Sequence, residues 1–251
     1  MDRNQTKDLK QRLSVTLVLV AFALVAVAMA TFAWFSIADN AKTRMLAMTA
    51  SSDGSLRFDL DEHDSFDQYV STLGFDAISS RISSELGVDV DASKLQPVTT
   101  SDYENFTFED GSTATAQSGA YLEFTLHFMS LNDCVVRLTG ENGNSGEPGT
   151  AFTSSVSDLP ACMRLSFTAD GQTWVYSPRS APGAAASSGS ATVFGLDSGA
   201  ATDASNLFGL MASVDKSAVV RIWLEGTDEN CTNMVKGADY SVSMRFEGVE
   251  G

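Results

Sequence analysis

Catalytic side chains are scarce in this chain. It holds two histidines and three cysteines in 251 residues. His63 sits in the acidic run DLDEHDSFD and His127 on the polar side of an alternating stretch. Neither has a nucleophile or metal partner close by in sequence, so both read as solvated surface groups. No G-x-S-x-G, H-E-x-x-H, P-loop or G-x-G-x-x-G occurs. Ser213 to Lys216 matches S-x-x-K, but the S-D-N and K-T-G companions that give this tetrapeptide meaning are missing, and it is set aside as chance. The sequence therefore points away from an enzyme, and no cofactor is expected.

Basic residues are also few: 16 Lys and Arg stand against 32 Asp and Glu. Residues 1–38 take four of the basic and two of the acidic groups, leaving 12 against 30 for the remainder, a net of −18. Nucleic acid and anionic lipid both need positive surface, so neither is expected as a partner of that remainder. Cys134, Cys162 and Cys231 are too few for a disulfide-built scaffold and too widely spaced for a zinc site. An exported domain can close one bridge among them, with three pairings open. The alternative is buried thiols acting as small apolar residues.

Two acidic clusters qualify as calcium candidates, since that ion takes carboxylates and carbonyls in loops. One is Asp59, Asp61, Glu62 and Asp64; the other is Glu225, Asp228, Glu229 and Asn230. Neither reproduces the twelve-residue loop with its central glycine, and no metal site is assigned. Asn105-Phe-Thr107 and Asn230-Cys-Thr232 fit the glycosylation acceptor pattern, which matters only in a eukaryote.

What the chain does have is a long apolar run. Leu13 to Ala38 contains 26 residues without a charge. A helix needs ~20 mostly apolar residues to cross the hydrocarbon layer. Arg3, Lys7, Lys10 and Arg12 precede it, so the positive-inside bias keeps residues 1–12 in the cytoplasm and places residues 39–251 outside. A bilayer is thus the expected partner of Leu13 to Ala38. Ala28-Met29-Ala30 is a small-x-small cleavage pattern, with Thr31 as the first residue of the cut form. The run exceeds the usual secretory core of ~7–15 residues, which favours a retained anchor over release.

Beyond the membrane the dominant period is two. Leu46, Met48 and Ala50 alternate with polar neighbours, as do Leu56, Phe58 and Leu60 after Asp53-Gly54, which predicts a hairpin over Thr43 to Leu60. Phe66, Tyr69, Val70 and Leu73, then Ile78, Ile82 and Leu86, recur at helical spacing, with Gly87 as a stop. Lys94 to Asp110 reads as loop, with Phe106 and Phe108 opening an edge strand. Strands are predicted at Leu122 to Phe128, Cys134 to Thr139, Met163 to Phe167, Trp174 to Tyr176, Val219 to Glu225 and Tyr240 to Phe246. Residues 177–206 are dominated by Ala, Ser and Gly and read as a mobile excursion in which only Val193, Phe194 and Leu196 have something to dock. The expected fold is mainly β: an antiparallel, jelly-roll-like β-sandwich with one or two short inserted helices, preceded by a single transmembrane or signal helix.

Three stretches carry a resemblance. ATFAWFSIADNAKTRMLAMTASSDGSLRF resembles the T-x-A-x-F region and following hairpin of proteins with SipW-type signal peptides, the class that includes the TasA and camelysin biofilm-matrix proteins. LQPVTTSDYENF, and VRIWLEGTDENCTN with YSVSMRFEG, are similar to uncharacterised surface proteins of Gram-positive bacteria with that kind of N-terminus. Together they span about a third of the chain. Trp34 departs from the pattern, at a position often small in the matrix proteins. The resemblance implies a jelly-roll-like sandwich at the cell surface and, for fibre-forming members, a structural role; no functional residue transfers with it.

The expected function is a cell-surface or matrix structural protein, either anchored by Leu13 to Ala38 or cut after Ala30 and able to self-assemble. The alternative is a membrane-anchored adhesin that binds a glycan or other ligand through end loops. The loop candidates for that role are residues 177–206 and Gly226 to Asp239. Trp174, Tyr176 and Trp223 are the stacking candidates, though core packing explains them as well.

Overall fold

The computed structural model describes residues 43–50, 54–90, 95–143, 146–180, 186–188, 191–196, 206–235 and 237–250, together with Thr16 and Val20. The chain divides into two units, 1–40 and 41–251. In the first, Thr16 and Val20 are helical. The rest of the Leu13 to Ala38 run, and the cleavage candidates Ala28, Ala30 and Thr31, lie outside the described residues. No helix among the described residues is long and apolar enough to cross a membrane.

The second unit is mainly β. Its strands are β1 (Thr43–Ala50), β2 (Leu56–Asp59), β3 (Thr72–Leu73), β4 (Pro97–Val98), β5 (Phe106–Thr107), β6 (Thr113–Ala114), β7 (Leu122–Ser130) and β8 (Cys134–Leu138). There follow β9 (Ala151–Ser154), β10 (Met163–Ala169), β11 (Gln172–Tyr176), β12 (Ala186–Ser188), β13 (Ala191–Phe194), β14 (Asn206–Leu210), β15 (Lys216–Glu225) and β16 (Tyr240–Val249). Two α-helices interrupt them, α1 (Phe75–Leu86) and α2 (Leu159–Cys162). One sheet runs β14-β8-β16-β1-β3 with β9 also on β16; a second runs β12-β13-β11-β10-β15-β7-β2 with β4 also on β15; β5 and β6 pair separately.

The pairing is mixed rather than purely antiparallel. β1 lies parallel to β16 from Thr43↔Tyr240 to Ala50↔Phe246, β11 parallel to β13, and β4 parallel to β15. The expected hairpin over Thr43 to Leu60 is therefore corrected: β1 enters the first sheet, whereas β2 pairs with β7 in the second. Alternation tells a strand which face to bury but not which neighbour to take, and here the chain changes sheet between the two strands.

Both sheets feed one core. Leu46, Met48, Val136, Leu138, Val242, Met244 and Phe246 from the first share it with Leu122, Phe124, Leu126, Phe128, Leu165, Phe167, Val220 and Ile222 from the second. Phe246 stands at its centre, edge-on to Phe58 at 5.6 Å, Phe128 at 5.2 Å and Phe167 at 5.5 Å between ring centroids. Fully burying each such ring contributes roughly 1.5–3 kcal/mol, so this cluster is the largest local source of stability. Residues 98–121 build a second cluster in which Phe106, Ala114, Ala116 and Tyr121 pack around the fully buried Trp223. Trp223 and Tyr176 are thus core, and Trp174 is partly buried against the main cluster.

Local chemistry sets several boundaries. Helix α1 buries Ile78 and Ile82, one turn apart, carries Asp76 in its first turn, and ends at Gly87 with φ 69° and an N–H to the Ser83 carbonyl at 3.0 Å. The helical spacing of Phe66 to Leu73 does not produce a helix. Ser65 and Gln68 cap a single 3-10 turn over Phe66–Gln68, Tyr69 is already extended, and Thr72–Leu73 pairs with β1. Asp170-Gly171, both at positive φ, make the two-residue turn joining β10 to β11. Gly149 is required for another reason, because a Cβ there would come within 2.1 Å of the Gly140 carbonyl oxygen. That contact lets the chain leave β8 and return as β9 on the same edge of β16, with Thr150 Oγ1 accepting from the Arg245 N–H at 2.9 Å.

Within the 177–206 stretch, the described residues 186–188 and 191–194 are strands. β13 extends the second sheet beyond β11, and β12 pairs back onto it. Phe194 is fully buried, while Leu196 packs on the main core and Val193 on the second cluster. At residues 191–194 the edge of β11, and at 186–188 that of β13, supplies backbone partners to an Ala- and Ser-rich sequence.

Candidate functional site

The two histidines, 64 positions apart in sequence, are linked through Tyr69 and Asp215. β7 buries Leu126 and Phe128 and turns His127 to the opposite face, where the pairing with β2 sets Asp59 across from it. His63 Nε2 lies 3.6 Å from Asp59 Oδ2. Tyr69 completes the arrangement. Its hydroxyl accepts from the His63 backbone N–H at 3.0 Å and donates to Asp215 Oδ1 at 2.6 Å, and the His63 ring stands edge-on to it at 5.1 Å. Asp215 Oδ2 lies 3.0 Å from His127 Nδ1. An ionised carboxylate only accepts, so His127 donates from Nδ1.

The electrostatics follow from this geometry. Burial, reinforced by the hydrogen bond to Asp215, pushes the Tyr69 phenol up to about 12, which keeps it a neutral donor. Asp61, two positions before His63, is held below the usual carboxylate range by its contact with Arg81 on α1 at 2.5 Å. The sequence treated His63 and His127 as separate surface groups. Only strand pairing and the tertiary contact with Asp215 bring them together, and no spacing in the sequence records it.

Beside Asp215 a groove of about 660 Å³ opens along β8 and β14, the last strand of its sheet. Asn132, Asp133, Gly209, Leu210, Met211 and Val214 line it, with Asp215, Lys216 and Glu250 adding charge. Its rim is made by two loops that hold each other: the Ala212 N–H donates to Asp133 Oδ1 at 2.7 Å and the Ser213 N–H to the Ser130 carbonyl at 2.7 Å. Ser213 has φ 59°, a conformation that costs a non-glycine residue about 1 kcal/mol or more. Met211 is 66 % exposed, Leu131 51 % and Val214 43 %. Lys216 turns to Asp170 at 2.6 Å, so the S-x-x-K residues do not assemble into a reactive pair.

In the second calcium candidate two carboxylates are taken by arginines, and in the first Asp61 pairs with Arg81 while Asp59 faces His63. Asp228, with its side chain almost buried, pairs with Arg164 at 2.6 Å and Arg179 at 3.2 Å, and Glu229 takes Arg179 at 2.6 Å. Glu225 accepts from Trp223 Nε1 at 3.2 Å and from Thr227 Oγ1 at 2.7 Å. Asn230 donates to Asp228 Oδ1 through both its backbone and its side chain, at 2.9 Å each. The four residues thus cap one loop instead of converging on an ion, and among the described residues no group of three or more His, Cys, Asp or Glu forms a metal site. Burial pushes Asp228 upward, but the Asn230 and Arg164 hydrogen bonds outweigh it and hold the carboxyl at about 2.

All three cysteines are free thiols. Cys134 is buried on β8, Cys162 ends α2 fully buried, and Cys231 is half-buried in the loop after β15. Cys231 packs against the core cluster that holds Cys162, the two thiols shift each other's ionisation in opposite directions, and the Cys162 thiol donates to the Leu159 carbonyl at 3.2 Å.

No protein-family model matches this chain, and neither a curated protein nor a solved structure does.

Proposed function

We propose that the chain is an exported cell-surface or extracellular-matrix structural protein whose 39–251 region is a jelly-roll-like β-sandwich, tethered through Leu13 to Ala38 or released by a cut after Ala30. The observation that carries this reading is the apolar end of the domain. Leu131, Met211 and Val214 project from two mutually bonded loops beside the open β14 edge, on a surface that is otherwise strongly acidic. Unpaired strand edges and exposed apolar side chains are the features through which such subunits add to a neighbour. The reading is non-enzymatic. His127 and Tyr69 both bond to Asp215, which makes the network a brace between the 3-10 turn at Phe66–Gln68, β7 and the start of β15.

The experiment is to recover the protein from its native host in separate membrane and culture-medium fractions and determine intact mass and N-terminal sequence. A polymeric product beginning near Thr31 in the medium supports a matrix subunit. A full-length chain confined to the membrane supports a tethered display domain. A full-length chain in the cytosol would end both versions.

A second reading, a ligand-binding adhesin, draws on the groove, where Asp133, Asp215, Lys216 and Glu250 surround Leu210 and Met211. A glycan array with the full chain separates it from passive scaffolding.

A further inference from the structure

Of the thiols, Cys162 and Cys231 stand on two segments that are tied to each other. Met163, immediately after Cys162, pairs with Leu224 at the end of β15, so the chain on either side of this register runs toward one place. Arg164 then ties the two segments together. Its Nη1 donates to the carbonyls of Ala161 at 2.7 Å and Met163 at 2.8 Å, on either side of Cys162, while its Nη2 reaches Asp228 Oδ2 at 2.6 Å. The Asp228 carbonyl accepts the Cys231 N–H at 2.9 Å. Cys231 packs against the core cluster to which Cys162 belongs, and the Cys162 thiol, donating to the Leu159 carbonyl at 3.2 Å, interacts with that of Cys231.

We infer that Cys162 and Cys231 are a disulfide-forming pair, closed by thiol–disulfide exchange, which locks the Gly226 to Asp239 connection to the end of α2, with Cys134 left as the odd thiol. The roles of the two sulfurs differ. Cys231 is partly accessible, whereas Cys162 is fully buried with its thiol donating to the Leu159 carbonyl at 3.2 Å; the interaction between the two holds the Cys231 thiol below its ordinary value and, with burial, pushes Cys162 up. Cys231 is therefore the sulfur that meets an external disulfide first.

With oxidised glutathione as the oxidant, the Cys231 thiolate attacks one glutathione sulfur, forming a mixed disulfide and releasing one glutathione thiolate. Cys162 then loses its proton and attacks the Cys231 sulfur, expelling the second glutathione. Two protein thiols are oxidised, one external disulfide is reduced, and the two S–H protons end on the two glutathione thiols. The chemistry requires no assumption about where the domain resides.

The test uses the purified full chain, incubated folded with oxidised glutathione, denatured, alkylated and mapped by mass spectrometry. The expected product has one alkylatable thiol, Cys134, and a linked peptide joining Cys162 to Cys231. The oxidised chain should melt about 5–10 °C above the reduced chain, since closing a long loop restricts the unfolded state. Cys134→Ser retains the linked peptide and the shift; Cys231→Ser loses both while still folding, because its site is only half-buried. Three alkylatable thiols after incubation, or a linkage that includes Cys134, would overturn the assignment.

Discussion

The Tyr69 hydroxyl donates to Asp215 across 2.6 Å, joining residues 146 positions apart. Asp215 also takes His127 at 3.0 Å, so one carboxylate couples the 3-10 turn at Phe66–Gln68 to β7 and to the entry of β15. Tyr69 is 2 % exposed, and its aromatic body packs with Phe66 and Met129.

Tyr69→Phe keeps that packing and removes only the hydroxyl. It leaves Asp215 and the His63 N–H each one partner short, and is expected to cost about 1–2 kcal/mol. Thermal and urea unfolding of the variant beside the parent measure it. An unchanged midpoint would show that the brace contributes nothing.

The alkaline limb of stability has a defined origin. Burial pushes the Tyr176 phenol up to about 12, as burial and Asp215 do for Tyr69. The unfolded value is ~10. A raised folded value means the protonated form is favoured in the native state, so this contribution is complete below pH ~10 and is lost as pH rises through about 12. Urea unfolding from pH 8 to 12 should show a decline that Tyr69→Phe and Tyr176→Phe each flatten.

Asp228 governs the acid limb in the opposite sense. Its folded value of about 2 lies below the unfolded ~3.9, so its contribution is present above pH ~4 and disappears as pH falls through 2. Asp228→Asn should cost ~3 kcal/mol at neutral pH, because it strands Arg164 without its carboxylate. The difference between variant and parent should vanish near pH 2, a convergence that two denaturation series can confirm or refute.

Phe246→Ala removes the ring that meets Phe58, Phe128 and Phe167 and should cost ~3–5 kcal/mol, with Phe246→Leu recovering more than half of it. Guanidinium titration reads both. A loss below 1 kcal/mol for the alanine variant would mean that the two sheets do not share this core.

Met211→Asp places a charge on a side chain that is 66 % exposed and should leave the melting temperature within ~1–2 °C of the parent. Sedimentation velocity over a concentration series should show weaker self-association than the parent at equal concentration. Equal association would remove this end of the domain from the proposed assembly.

The sequence by itself determined which faces are buried. Leu122 to Phe128, Met163 to Phe167 and Tyr240 to Phe246 alternate as the strands do, because a half-buried strand has no other way to divide apolar from polar residues. The same local logic made Asp170-Gly171 a turn and Gly87 a helix stop, since positive φ strongly favours residues with short or absent side chains. Tertiary structure alone decided the neighbours. The parallel pairing of β1 with β16, the capture of Phe194 at a sheet edge, the arginines on Asp228, the convergence of His63, His127 and Tyr69, and the approach of Cys162 to Cys231 all join residues far apart in the chain. Periodicity encodes an orientation at each position but carries no address for a partner. That address comes from how the two sheets close over one core.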